Sequence, residues 1–340
     1  MQMPGLPAAL TRALGRAPWA RWTTPAQPHA VTTVMLGQRC LATRVEPGPD
    51  GGRPRMVDAV EGDVSDLTRW RLAGLFKKSR AVLVLRTGER HLLTIDRPEV
   101  PNAELAMAVR WPVGTALEVE PDELLTTAVP LPRINEAAQP QVLAIAARID
   151  LVRGHLATLK AAGIPVQSVD VTDSALRGMR SLMPADNDGW VVLAMMGGDV
   201  CIGLLWRGRF CALRTLSLPV RRPRDAHEFD EHLALHIQRT TDLFERQART
   251  LAIRHVLAAL PALSPESRAT VQSALPLPTQ LFDLSGVFEM TAALQQRCID
   301  HNDLTALACV AAARLHDATN PPEVEDPETS AAPAAAEVPA

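Results

Sequence analysis

Apolar positions from Val31 to Val45 fall into two short runs that predict a strand pair. The Pro- and Gly-rich stretch 47–54 follows as a turn, and 56–60 as a short strand. Leu67, Leu72, Leu75 and Phe76 mark a helix. Ala81 to Arg86 and Arg90 to Asp96 are two apolar strands separated by Thr87-Gly88-Glu89, a spacing that predicts a hairpin. Pro98 to Trp111 reads as a helix with Pro101 in its first turn and Glu104 behind it. Residues 126–132 and 142–147 read as strands, 150–162 as a helix ended by Gly163, 166–171 as a strand and 173–183 as a helix.

Beyond the turn Asp186-Asn187-Asp188-Gly189, three strands follow: Trp190 to Met196, Asp199 to Trp206 and Phe210 to Leu218, the last two joined at Arg207-Gly208-Arg209. Asp225 and Glu228 stand where a capping box opens a long helix, with Leu233, Ile237, Phe244, Ala248 and Leu251 on one face. Three strands and a helix thus repeat the order at the start of the chain. The pattern predicts an α/β protein of two related lobes, 30–96 and 186–317, with an α/β insertion at 97–185 in the first.

Length supports two lobes, since 340 residues exceed the ~150 of one typical domain. With 47% apolar and 21% charged residues the chain can bury a sizeable core. Its formal charge of -3 gives no global excess of cations, so no nucleic-acid partner is expected. Arg supplies 32 of the 35 cations, with Lys only at 77, 78 and 160, a bias that suggests base composition more than a site. The five cysteines, Cys40, Cys201, Cys211, Cys298 and Cys309, are odd in number, far apart and set among apolar residues, the pattern of buried thiols in a reducing compartment. No apolar run approaches the ~20 residues of a membrane span, and the first residues lack a signal-peptide core. A chain retained inside the cell is expected.

The ends differ in charge. Residues 1–29 form a basic, flexible arm: no acid precedes Glu46, and Arg12, Arg16 and Arg21 accompany Leu6, Leu10, Leu14, Trp19 and Trp22. Such an arm suits peripheral membrane contact. Residues 318–340 hold Pro, Ala and acids with almost no large apolar side chain, and are expected to be a disordered tail.

The segment Val84 to Pro132 contains Glu99-Val100-Pro101-Asn102-Ala103-Glu104-Leu105, Ala108-Val109-Arg110-Trp111 and Ala128-Val129-Pro130-Leu131-Pro132. With Ala162-Gly163-Ile164, Val169-Asp170-Val171, Ala175-Leu176-Arg177 and the run Leu233 to Gln247, it resembles the MshI proteins of mannose-sensitive-haemagglutinin (MSHA) type IV pilus biogenesis. It is more distantly similar to the PilM proteins of other type IV pilus machines. The resemblance implies an actin-like (RNase H-like) two-lobed fold. It also implies a scaffold under the inner membrane of a Gram-negative bacterium, and a PilN-type inner-membrane partner whose short cytoplasmic tail it binds. The assembly motor ATPase is a further implied partner.

Actin-like ATPases hold nucleotide with three loops. In PilM the first is Asp-hydrophobic-Gly-Ser; the corresponding Met35-Leu36-Gly37-Gln38 keeps only the Gly, losing the carboxylate that would orient metal and water. At the second, Ala194 and Val200 replace the family's Asp and Thr, although Gly197-Gly198-Asp199 is a candidate shifted remnant. The adenosine loop, a Gly run in PilM, falls on Ala258-Ala259-Leu260, whose Cβ atoms disfavour positive φ. Neither ATP nor magnesium is expected as a cofactor, nor catalysis; a shifted-loop ATPase is the alternative.

Other chemistry is weaker. Glu228, His232 and His236 share a helical spacing that could bring a metal, but HExxH is absent and no outside ligand is signalled. The cluster Asp300-His301-Asn302-Asp303 reads as a turn opening the last helix. Arg110 and Trp111, taken as the end of a helix at Pro112, are the candidate partner-binding residues, at the rim of a groove between insertion and first lobe.

Overall fold

The computed structural model describes residues 30–133, 139–217, 226–247, 253–259, 266, 269, 272–273 and 277–319. The arm, the tail from residue 320 on, the Asp225 cap and Ala248 and Leu251 lie outside them, as do the side chains of Leu233, Glu228 and His232. Ala318 and Thr319, expected to open the disordered tail, instead end the last helix.

Strand β1 (Ala30–Met35) is buried along its whole length, as a central strand covered on both faces must be. It pairs antiparallel with β2 (Cys40–Glu46), which pairs antiparallel with β3 (Arg55–Gly62). On its other side stand β4 (Ser79–Leu85) and then β8 (Val166–Val171), both parallel, giving the order β3-β2-β1-β4-β8. The expected hairpin of 81–96 is therefore corrected. Both edges of β4 are taken by parallel partners, and β5 (His91–Asp96) belongs to a different sheet. Helix α1 (Asp66–Leu72) is shorter than Leu75 and Phe76 suggested. Gly74, at φ +94, ends it: the Leu75 amide turns back to the Trp70 carbonyl at 3.1 Å, so Leu75 and Phe76 enter the core from outside the helix.

The insertion is a three-stranded antiparallel sheet, β5-β7-β6, of β5, β6 (Leu124–Pro130) and β7 (Gln141–Arg148). Its strands begin at His91, before the expected boundary at 97, and β8 with α4 (Ile149–Ala161) before it returns to the first sheet. The predicted helix at 98–111 is also corrected. Residues 98–104 are turns, followed by α2 (Leu105–Ala108) and α3 (Arg110–Leu117). Pro112 has no N–H to offer the Ala108 carbonyl, so the helix breaks at Val109, and Trp111 opens α3 instead of closing a helix.

After α5 (Ser174–Ser181), strands β9 (Gly189–Met196), β10 (Asp199–Trp206) and β11 (Arg209–Ser217) form the predicted meander. The helix α6 (Ala226–Gln247) leads to β12 (Ile253–Ala259) and β13 (Thr279–Leu281), both parallel, in the order β11-β10-β9-β12-β13. The second sheet thus repeats the first strand for strand. Two short helices, α7 (Leu284–Val287) and α8 (Ala292–Asp300), lead to α9 (Asn302–Thr319).

Helix α9 is buried on all sides from Leu304 to Ala313, as a helix between two sheets must be. It lies on β1 and β2, where Thr33 Oγ1 donates to the Leu307 carbonyl at 3.0 Å and Thr43 Oγ1 to Leu304 at 3.5 Å. Its other side crosses α5, which packs on β9 and β10. At the crossing the backbones touch: a Cβ on Gly178 would stand 1.8 Å from the Cys309 carbonyl oxygen. A second tie between the lobes is polar. Arg90, 6% exposed, grips Asp173, 1% exposed, through bonds of 2.7 and 2.6 Å, and donates to Thr215 Oγ1 of β11 at 2.8 Å. Burial works against the Arg90 charge, and the Asp173 carboxylate more than offsets it, so the guanidinium pKa is raised.

Gly178→Ala is expected to force α5 and α9 apart and cost about 3 kcal/mol. For a chain of this size that is a Tm fall of roughly 4–5 °C in a thermal melt. Gly154, exposed inside α4 with open space around its missing Cβ, is the control. There Gly→Ala should leave Tm unchanged or raise it by the ~0.5–1 kcal/mol of helix propensity.

Candidate functional site

The turns β1–β2 and β9–β10 occupy equivalent places in the two sheets, those from which an actin-like fold holds phosphates. In the first, Gly37 lets a side chain of the same protein approach. Arg86, at the end of β4, lays its guanidinium on the turn, 2.6 Å from where a Gly37 Cβ would be. Its Nε donates to the Leu36 carbonyl and its Nη2 to that of Arg39, both at 2.9 Å. The loop therefore presents carbonyls to a resident cation, the reverse of amides presented to a phosphate.

The second turn is a two-residue hairpin, Gly197-Gly198, with Met196 opposite Asp199 and Gly197 at φ +60. The Gly197 amide is free of the sheet, yet it donates to Asp303 Oδ1 at 2.7 Å. Asp303 stands in the first turn of α9. A carboxylate of the chain itself thus sits on the amide that a phosphate would need. The open cleft here, of about 240 Å³, is lined by Leu41, Gly197, Asp300, His301, Asn302 and Asp303. Two of those side chains are carboxylates. A phosphate oxygen ~5 Å from one of them meets a repulsion of roughly 3 kcal/mol at an effective dielectric near 20, more than one neutral hydrogen bond returns. His301 Nε2 lies 2.8 Å from Glu61 of β3, closing the cleft toward the first lobe.

Ala194 and Val200, expected in place of a phosphate-loop Asp and Thr, are buried strand residues. Ala258 and Ala259 end β12, and Leu260 lies outside the described residues. Around Ala259 the lobes close on a void of about 10 Å³ between Ala175, Met179, Ala194, Ala306 and Cys309, room for at most one water. Sequence reasoning found Gly37, Gly197, Gly198 and Asp199 but missed Arg86 and Asp303, which lie far along the chain from the turns they fill.

The partner-binding candidates lie elsewhere. Leu105, Val109 and Val113 pack α2 and α3 onto Leu124, Ala128, Val142, Ala144 and Ala146 on one face of the insertion sheet. The other face, with Leu125 and Ile145, packs with Leu151 and Leu156 onto the first-lobe core. Apolar side chains thus pack the border between the insertion and the first lobe, and Trp111 stands on the outer helical layer of the insertion. Trp111 is 71% exposed and Met107, one turn earlier, 67%. Arg110 is half-buried between them, its Nε without a hydrogen-bond partner among the described residues. Met107 was not singled out in the sequence, where Pro98 to Trp111 reads as one helix ending at Pro112 and only its last residues are taken as a contact.

The metal spacing falls largely outside the described side chains, and among the described residues no group of three or more His, Cys, Asp or Glu could hold a metal ion. All five cysteines are buried and free. Burial pushes the thiol of Cys298 up to about 11 and that of Cys211 to about 12, and raises those of Cys201 and Cys309 further. They behave as core side chains. Among the described residues no helix is long and apolar enough to cross a membrane.

No protein-family model matches the chain, and no curated protein matches it. Among solved structures, the PilM-PilN type IV pilus biogenesis complex is similar at a TM-score of 0.64 and 18% identity, covering 84% of this chain and 98% of that one. The cytoplasmic domain of EpsL, an inner-membrane component of the type II secretion system of Vibrio cholerae, reaches a TM-score of 0.47 at 12% identity, over 82% of this chain and 95% of that one. A Bacteroides thetaiotaomicron protein with an actin-like ATPase fold gives 0.45 at 7% identity, over 80% and 95%. With two sheets of one strand order and the α5–α9 pair between them, the likeness to PilM makes this an actin-like α/β fold.

Proposed function

We propose that the chain is a non-catalytic scaffold of a type IV pilus assembly machine of the MSHA kind. It would work at the cytoplasmic face of the inner membrane by binding the cytoplasmic segment of a PilN-type partner. The observation that carries this reading is the likeness to PilM, itself solved in complex with PilN, over 98% of that chain. Occupation of both phosphate turns by Arg86 and Asp303 favours a scaffold over an ATPase. The exposed Met107 and Trp111, with Arg110 between them, supply two apolar anchors and a donor for an arriving peptide, the composition of an interface hot spot.

The alternative is an actin-like ATPase that uses Gly197, Gly198 and Asp199 as a shifted phosphate loop. Millimolar ATP with magnesium decides between them. A ligand at a hundred times its Kd would stabilise the fold by about 2.7 kcal/mol. The scaffold reading expects no saturable rise in Tm and no phosphate release above a buffer blank; a saturable rise would revive the alternative, and phosphate release with it would establish hydrolysis.

Trp111→Ala should weaken binding of the full chain to a labelled peptide of the partner's cytoplasmic tail about 30-fold, the ~2 kcal/mol of a hot-spot Trp. Tm should hold within about 1 °C, because the side chain is largely exposed. Parent-like anisotropy curves for the variant would remove this patch from the reading.

A further inference from the structure

We infer that the edge of the first lobe farthest from the interlobe cleft is a docking surface for an anionic lipid bilayer. The three parallel strands of that sheet place it. Ala30 is in register with Ser79, and Ala81 with Val166, so β1, β4 and β8 all start on one edge. Their far ends lead to Gly37, Arg86 and Thr172, toward the cleft. Whatever precedes each strand therefore gathers at the opposite edge. Before β4 comes the last turn of α1 with Arg71 and Leu72, then Leu75 to Lys78. Before β8 comes the end of α4, with Lys160, and the turn to Pro165. The two segments touch, because a Cβ on Gly163 would stand 3.1 Å from Arg71 Nε.

The chemistry of this edge is one-sided. Arg71, Lys77, Lys78 and Lys160 are exposed, and among the described residues none has an ion pair or a side-chain hydrogen bond. Neighbouring cations are already engaged: Arg69 pairs with Asp66 at 3.0 Å, and Arg44 with Glu46 at 3.0 Å while holding the Leu75 and Lys77 carbonyls. No Asp or Glu occurs between 67 and 88 or between 151 and 169. All three lysines of a chain that otherwise uses arginine lie on this edge. Among them stands Leu72, 72% exposed. Long amine stems that snorkel around an exposed leucine suit the headgroup layer of a membrane. Nucleic acid would be served instead by exposed aromatic rings and Arg forks, and the aromatics here, Trp70 and Phe76, are buried. Ala30, which follows the segment carrying Arg12, Arg16, Arg21, Trp19 and Trp22, opens β1 at this same edge.

This surface is separate from the partner-binding patch, so its test can fail without touching that reading. The full chain is sedimented with sucrose-loaded vesicles of phosphatidylcholine alone, and of phosphatidylcholine with an equal share of phosphatidylglycerol. Binding is expected only to the anionic vesicles and should fall steeply with salt. The variant Arg71→Gln, Lys77→Gln, Lys78→Asn, Lys160→Gln should lose several hundredfold in partitioning, at about fivefold per cation. Asn at 78 suits the left-handed backbone there, φ 51. An unchanged Tm and unchanged binding of the partner peptide show that the variant is folded. A chain lacking residues 1–29 should keep part of its lipid binding. Equal sedimentation with both vesicle types, parent-like partitioning of the fourfold variant, or complete loss on removing 1–29 alone would each overturn the proposal. Release from the anionic vesicles by single-stranded RNA bound more tightly would overturn it too, in favour of a nucleic-acid surface.

Discussion

The contact between the Gly178 backbone and the Cys309 carbonyl sets how the two lobes meet. Neither helix at that crossing belongs to one lobe alone. Helix α5 leaves the first sheet and packs on the second, while α9 ends the second half of the chain and packs on the first. With no Cβ between them, the helices sit at backbone contact, and α9 can lie low enough for Thr33 and Thr43 to donate to its carbonyls. The Arg90–Asp173 pair stands at the start of α5 and reaches β11, so apolar and ionic ties act on the same helix. Removing one partner of such a buried pair would leave an uncompensated charge, at a cost of about 3–5 kcal/mol.

The position of α9 also decides the chemistry of the cleft. Its first turn delivers Asp303 to the Gly197 amide, and the end of β4 delivers Arg86 to the opposite turn. Charges of the chain itself thus occupy both places from which an actin-like fold grips phosphate. An ATP molecule would have to displace a charge-assisted hydrogen bond and then sit beside Asp300. The first lobe consequently divides its surface three ways: a cleft whose turns are filled by the chain's own side chains, an outer insertion face bearing Trp111, and a basic far edge.

Much of this was legible in the sequence where a strand or helix carries its own pattern. The meanders Val31 to 60 and Trp190 to Ser217, the turn at Arg207-Gly208 and the α4 stop at Gly163 follow from local periodicity and positive-φ residues. Parallel pairing leaves no such mark, so β4 and β5 looked like a hairpin and β8 like part of the insertion. The single missing N–H of Pro112, which splits 105–117 into two helices, hides in an otherwise helical run. The loss of loop chemistry at Met35-Leu36-Gly37-Gln38 could be read directly. What fills the loops could not, because Gly37 and Arg86, or Gly197 and Asp303, meet only through tertiary structure. The same holds for Lys77, Lys78 and Lys160, eighty residues apart in sequence and on one edge in space.

The two lobes meet at the backbone contact of α5 with α9, and on the proposed scaffold reading their separation does not respond to nucleotide, so the distance between them is the most direct test. Because the five native thiols are buried, spin labels can be placed at Val64→Cys in the first lobe and Leu243→Cys in the second, both exposed positions. Pulsed electron paramagnetic resonance then reads their separation with and without saturating ATP and magnesium. A single narrow distance, the same in both samples, is the expected result; a distribution that shifts or splits when nucleotide is added would contradict the account.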